Sequence, residues 1–263
     1  KPVIIETKFE NGFKVKPEDL EKGITNKTKW VIINSPGNPT GSVYSENELR
    51  QIADVIRKHK NINILSDDIY EHILYKNIKF TNILNTSPDL FERTFIVNGV
   101  SKVFSMTGWR IGYGAGNKEL IKSISKIQSQ CTTNPCSISQ MAAMFALENE
   151  KTFLKDWLAE FEDRKNFLLD FFSSVDGFKP FIPEGAFYLY VSCDGFIGKK
   201  YNKDKLISND LDFSEFLLNY AKVAVVPGVA FGKSPYFRLS YATSLEELKK
   251  ACLQIEESLK KLF

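Results

Sequence analysis

The stretch TFIVNGVSKVFSMTGWRIGYGAG (94–116) decides how this chain is read. An apolar run, Phe95, Ile96 and Val97, breaks at Asn98 and Gly99 and so delivers the next side chains to the carboxyl edge of a sheet, where open α/β proteins bind ligands. Lys102 falls there. An amine becomes nucleophilic near neutral pH through partial burial or nearby positive charge, which Arg110 can supply. On position alone Lys102 is either such a nucleophile or one of many surface lysines. The link from Val97 to Arg110 carries glycines and no apolar period, too short for a helical crossover, which points to an antiparallel strand at 110–114.

Working outward, two more apolar runs end in polar phrases: Trp30 to Ile33 before NSPGNPTG, and Ile62 to Leu65 before SDDIY. Continuous apolar runs suit strands of a parallel sheet covered on both faces. Between them, Ser45 and Glu48 have capping-box spacing, and Leu49, Ile52, Ala53 and Ile56 follow with helical period, so 46–60 is predicted to be the crossover of a βαβ unit. Further helices are expected at 118–130, 137–148 and, as a long amphipathic spine, 151–172. Beyond it come a strand at 186–191, a helix from Asp212, strands at 223–226 and 237–241, and a last helix capped by Ser244 and Glu247. Residues 194–210 read as a polar loop. The expected architecture is α/β: a three-layer α/β/α domain with a mostly parallel sheet over 1–160, and a smaller α+β domain over 161–263.

With 263 residues, a net charge of +3, 43% hydrophobic and 25% charged residues, the composition is that of a soluble globular enzyme. No apolar run is long enough for a membrane-spanning helix, and no dense basic tract marks a nucleic-acid binder. Cys131, Cys136, Cys193 and Cys252 form no CxxC pair and have no histidine beside them, so neither a metal site nor a disulfide framework is indicated, and a reducing cytoplasm is the expected setting. With only His59 and His72, proton transfer falls to lysine, tyrosine and carboxylates. The chain opens at Lys1 on the strand-like Val3, Ile4 and Ile5, without a methionine or a signal peptide, and reads as the continuation of something longer.

Three strand ends of the first domain thus bring Asn38, Asp68 with Tyr70, and Lys102 with Arg110. Such a set suits pyridoxal 5'-phosphate, an aldehyde that a lysine can hold, with a ring nitrogen that needs an acid partner and a phosphate that needs a cation. The chain resembles the class I aminotransferases of fold type I, and within them the prokaryotic aspartate aminotransferase branch. Gly99, Val100, Ser101, Lys102, Arg110, Ile111 and Gly112 satisfy the lysine signature of that family. The phrases NSPGNPTG, SDDIYEHILY, MTGWRIGY, EGAFYLY, VAVVPGVAFG and YFRLSYATS match it in order along essentially the whole chain.

The resemblance implies that Lys102 holds the cofactor covalently and moves the substrate α-proton, and that Asp68, rather than Asp67, pairs with the ring nitrogen. Tyr70 and Asn38 would hydrogen-bond the cofactor's phenolic oxygen, Arg110 would clamp its phosphate with Ser101 beside it, and Arg238 would grip the substrate α-carboxylate. Gly99 stands where the family more often has a hydroxyl residue. The resemblance further implies transamination between an amino acid and a 2-oxo acid, aspartate with 2-oxoglutarate first, and a homodimer without nucleic-acid or membrane partners. Aromatic, prephenate or alanine transaminases, a β-lyase or decarboxylase on the same scaffold, and the effector domain of a transcription regulator are the alternatives. Against the family pattern, the N-terminal third is expected to be absent.

Overall fold

The computed structural model describes residues 1–75, 77–149, 151–202 and 205–263, which form two compact units. The first unit comprises Lys1–Thr7, Lys14–Gly37 and Val43–Lys155; the second comprises Lys8–Phe13, Asn38–Ser42 and Asp156–Phe263.

In the first unit, a short helix α1 (Pro17–Gly23) precedes β1 (Trp30–Asn34), α2 (Glu46–Lys58) and β2 (Asn63–Asp67). A single turn α3 (Ile83–Thr86), β3 (Thr94–Gly99), β4 (Gly112–Gly116), α4 (Lys118–Cys131) and α5 (Ser137–Glu148) follow. The sheet order is β1-β2-β3-β4. β1, β2 and β3 run parallel, and β4 returns antiparallel to β3, as the short glycine-bearing link dictates.

Helix α2 begins where its capping box says it should. Ser45 Oγ accepts from Glu48 N, and Glu48 Oε2 accepts from Ser45 N at 2.7 Å. Its apolar stripe, Leu49, Ile52, Ala53, Val55 and Ile56, closes a core with Leu20, Ile33, Ile64, Ile83 and Leu90. The opening residues form no strand: Val3 and Ile4 are exposed, and Ile5 packs onto this core as a side chain. Nor is β1 covered on both faces, since Ile32 is 69% exposed while its neighbour Ile33 is buried.

The helix α6 (Leu154–Ser174) carries the chain into the second unit, which holds β5 (Lys179–Phe181) and β6 (Tyr188–Ser192). Residues 194–210, expected as loop, contain a 3-10 turn at Asp194–Phe196 and a hairpin of β7 (Lys200–Tyr201) and β8 (Lys205–Leu206). Strands this short leave too little periodicity to be read from sequence. Helix α7 (Asp210–Phe216), starting one residue after its cap Asn209, then leads to β9 (Val226–Pro227), β10 (Tyr236–Ser240) and α8 (Leu245–Leu259), capped by Ser244 as expected. The main sheet is antiparallel, in the order β5-β6-β10-β9.

Aromatic rings fill this unit. Phe178 meets Phe172, Phe196, Phe213 and Phe237 with centroids 4.6 to 5.9 Å apart, mostly edge-on or tilted, the arrangement that ring quadrupoles favour.

Candidate active site

In the first unit the carboxyl ends of β1, β2 and β3 lie along one edge, and the residues that come after β2 and β3 carry most of the candidate groups. Asp68 comes directly after β2 and is 3% exposed. Ser66 Oγ donates to its Oδ1 at 2.7 Å and Asn82 Nδ2 to its Oδ2 at 2.8 Å. Burial pushes its pKa up, the two hydrogen bonds pull it back, and the charges of Glu71 and Asp67 add to the rise. A carboxylate with two engaged lone pairs still has capacity for another donor. The neighbouring Asp67 is spent locally, its Oδ1 accepting from Ile69 N at 3.2 Å.

Tyr70 is buried, and Lys102 Nζ lies 5.8 Å from its ring centroid. The segment after β3 is knitted to itself: Thr107 Oγ1 donates to Ser101 O at 3.0 Å, and Arg110 Nη1 donates to Thr107 O at 2.9 Å. Arg110 is exposed and precedes β4 in left-handed backbone, φ 57°, rather than opening the strand. A Cβ on Gly99 would stand 2.9 Å from Ile111 O, so a hydroxyl residue could enter there only by displacing β4.

Asn38 and Arg238 belong to the second unit. Arg238, on β10, donates from Nη1 to Asn38 Oδ1 at 2.8 Å, and its guanidinium lies 4.4 Å from the Tyr188 ring centre and 5.1 Å from that of Phe231. Its Nε is buried without an acceptor among the described residues. A half-buried guanidinium stacked on rings with an unused donor has the chemistry to pair with a carboxylate.

The structure therefore groups Asp68, Tyr70, Ser101, Lys102 and Arg110 on one unit and Asn38 with Arg238 on the other. Sequence reasoning missed Ser66 and Asn82, the donors that hold Asp68. Ser66 was within reach, since residues two apart share a strand face. Asn82 lies fourteen positions from Asp68 and carries no local signal.

A mostly parallel α/β unit thus carries a lysine, a buried acid and a tyrosine at its strand ends, and sequence comparison gives the family. The profile described as aminotransferase class I and II matches residues 1–255, and the chain belongs to that family. A probable aspartate/prephenate aminotransferase of Rickettsia typhi is 54% identical over 257 residues, covering 98% of this chain and 64% of that protein. An aspartate aminotransferase of Rhizobium meliloti strain 1021 is 46% identical over 97% of this chain and 62% of its own length.

The crystal structure of the aspartate aminotransferase from Rhizobium meliloti superposes with a TM-score of 0.96 at 45% identity, covering all of this chain and 66% of that one. That of Thermus thermophilus aspartate aminotransferase with maleate gives a TM-score of 0.87 at 38% identity, over 98% of this chain and 64% of that one. The chain thus spans roughly two thirds of the length of these relatives. Among the described residues no helix is long and apolar enough to cross a membrane.

Proposed function

We propose that the protein is a pyridoxal-phosphate-dependent transaminase that exchanges an amino group between L-aspartate and 2-oxoglutarate. The observation that carries the reading is Asp68, a buried carboxylate held by two donors on the same strand edge as Lys102. The donor set fits the cofactor. Lys102 offers the amine, Asp68 the acid for the ring nitrogen, Tyr70 and Asn38 the partners of the phenolic oxygen, and Arg110 with Ser101 the phosphate contacts. On this reading residues 1–160 serve as the cofactor-binding domain and 161–263 as the small domain.

When bound, pyridoxal phosphate supplies an aldehyde that condenses with amines and a pyridinium ring that draws electrons from the bonds to the substrate α-carbon. Everything else is the work of this chain. Asp68, ionised, keeps the proton on the ring nitrogen by a charge-assisted hydrogen bond. Arg238 takes the substrate α-carboxylate, its Nε gaining the acceptor it lacks. Lys102 Nζ, as the free amine, would accept the proton from the substrate α-carbon and deliver it to the carbon on the far side of the amino nitrogen, two bonds away, a short transfer for an amine at the tip of a flexible stem. The aspartate assignment is supported by the names of the relatives and by the Thermus enzyme's having been crystallised with maleate, a four-carbon dicarboxylate. The Rickettsia relatives' names keep prephenate as a second amino acceptor to be assayed. A homodimer working in the cytoplasm completes the proposal.

The decisive experiment is to load the protein with pyridoxal phosphate, reduce with borohydride and map the modified peptide, then assay oxaloacetate formed from aspartate and 2-oxoglutarate. The expected result is a pyridoxyl group on Lys102 and stoichiometric oxaloacetate and glutamate. Release of ammonia or pyruvate instead would make it a lyase. A cofactor-free protein without turnover would return it to the effector-domain reading.

A further inference from the structure

Two segments carry the groups that must face the same cofactor: 68–71, after β2, holds Asp68 and Tyr70, and 98–102, after β3, leads to Lys102. The β2–β3 ladder ends at the pair Asp67 and Val97, followed by one more backbone bond, Asp68 N to Val97 O at 3.0 Å. Past that point the two segments are joined by side chains. Asn98 Nδ2 donates to Glu71 Oε1 at 2.7 Å, and Asn98 Oδ1 accepts from the Gly99 N–H at 2.7 Å. Both ends of the amide are thereby used, which fixes its orientation. At the other end Glu71 N donates to Asp68 O at 2.9 Å, tying the carboxylate's own backbone to the turn that holds the acid.

These contacts form a continuous chain, from Asp68 through Glu71 and Asn98 to Gly99, three residues before Lys102. Gly99 in turn packs closely on the segment that enters β4, where an added Cβ would stand 2.9 Å from Ile111 O, so the Asn98 side chain grips closely packed backbone. Glu71 and Asn98 are both half-buried, which shields their charge-assisted bond from solvent. The Glu71 carboxylate also reaches His72 Nε2 at 3.4 Å, and its charge adds to the rise that burial produces in the pKa of Asp68 and of Tyr113, the cross-strand partner of Asn98.

We propose that Glu71 is a positioning residue: through Asn98 it sets the spacing between the acid that meets the cofactor's ring nitrogen and the lysine that holds its aldehyde. This rests on the cofactor reading above. On this reading the pair acts through the two strand ends that carry the acid and the lysine, and a misplacement of about an ångström at such a site is costly.

The test measures pyridoxal phosphate dissociation and the pH midpoint of the bound cofactor's absorption in intact protein. Glu71→Ala is expected to weaken cofactor binding by about tenfold and to displace the absorption midpoint. Glu71→Gln, whose amide oxygen can accept the same Nδ2–H, is expected to recover most of the affinity, a rescue that a general loss of stability would not produce. Asn98→Ala should behave as Glu71→Ala does, and the double variant should be no worse than either single one, because both remove the same link. If Glu71→Ala yields no folded protein, Asn98→Ala carries the same expectation. Wild-type affinity and absorption midpoint in both single variants, or losses that simply add in the double variant, would overturn the proposal while borohydride-trapped Lys102 in the wild type kept the cofactor reading intact. A wild type that takes up no cofactor would remove both.

Discussion

Arg238 donates to Asn38 across 200 positions of sequence at 2.8 Å, so the NPTG phrase and the strand β10 share one polar contact. Asn38 orients the guanidinium from Nη1, while the Tyr188 and Phe231 rings flank its plane, and its buried Nε has no acceptor among the described residues. Arg238→Ala is therefore expected to raise KM for the amino acid by roughly tenfold to a hundredfold, the equivalent of about 1.5 to 3 kcal/mol for a charged hydrogen-bonded pair. Steady-state kinetics with aspartate checks it. Arg238→Lys should recover little, since an ammonium cannot present two parallel donors. An unchanged KM in both variants would remove Arg238 from substrate binding.

Asp68 makes a prediction with a sign. Its folded-state pKa is raised, chiefly by burial, so the folded protein binds this proton more tightly than the unfolded chain does. Stability from this group therefore falls as pH rises through the window between the ordinary aspartate value and the raised one, and above that window the ionised acid is a standing cost. In cofactor-free protein, Asp68→Asn should raise the thermal midpoint near neutral pH, and the gain should shrink as the pH is lowered through that window. On the proposed function the same variant should also lose transaminase activity by orders of magnitude, because an amide could not keep a ring nitrogen protonated. Calorimetry across pH, beside turnover, separates the two effects; a lower midpoint at neutral pH would show that the hydrogen bonds from Ser66 and Asn82 outweigh burial.

How much of this was legible in the sequence depends on the range of each interaction. The capping box at Ser45, the N-cap at Ser244, the crossover helix α2 and the antiparallel return of β4 are set by residues close to one another in sequence, and pattern alone reads them. The placement of Asp68, Tyr70 and Lys102 after β2 and β3 was legible because a β-strand delivers the residues after it to a known edge, whereas the roles expected of them came from the family resemblance. Asn82 against Asp68, and Glu71 against Asn98, were not: they are side-chain meetings across strand ends, and no periodicity encodes them. Ile32 shows a different failure. Its apolar neighbours implied cover on both faces, yet burial depends on what packs above the sheet, which the strand itself does not specify.

Gly41, which closes the NPTG phrase, sits where a side chain has no room. It has φ 73°, and a Cβ there would stand 2.5 Å from both Gly185 O and Pro183 Cβ. Its carbonyl accepts from Glu184 N at 2.9 Å and Gly185 N at 2.8 Å, so the phrase is held against the segment that enters β6. Gly41→Ala must either strain the left-handed backbone or push that segment away, at a cost of about 1 to 3 kcal/mol. For a chain of this size that lowers the thermal midpoint by roughly 2 to 4 °C per kcal/mol. Denaturant and thermal unfolding of the variant measure it, and a midpoint equal to the wild type's would show that the phrase has room to move.

The four cysteines divide sharply by environment, and thiol labelling should resolve them. Cys193 and Cys252 are buried, and burial pushes each thiol up to about 12, with the Asp210 charge adding to the rise at Cys193. At neutral pH both are protonated and enclosed, hence inert. Cys131 and Cys136 are exposed. The thiol of Cys136, the residue before α5, is held below its ordinary value by the backbone N–H groups of Ser139 and Ile138, which stabilise the thiolate as a helix N-terminus does. Iodoacetamide near neutral pH should therefore modify Cys136 first, then Cys131, and leave Cys193 and Cys252 untouched until denaturant is added. Peptide mapping over a time course gives the order. Labelling of Cys193 or Cys252 at the rate of Cys131 in native protein would mean that the second unit opens on the timescale of the reaction, and the closely packed aromatic core around Phe178 argues against such opening.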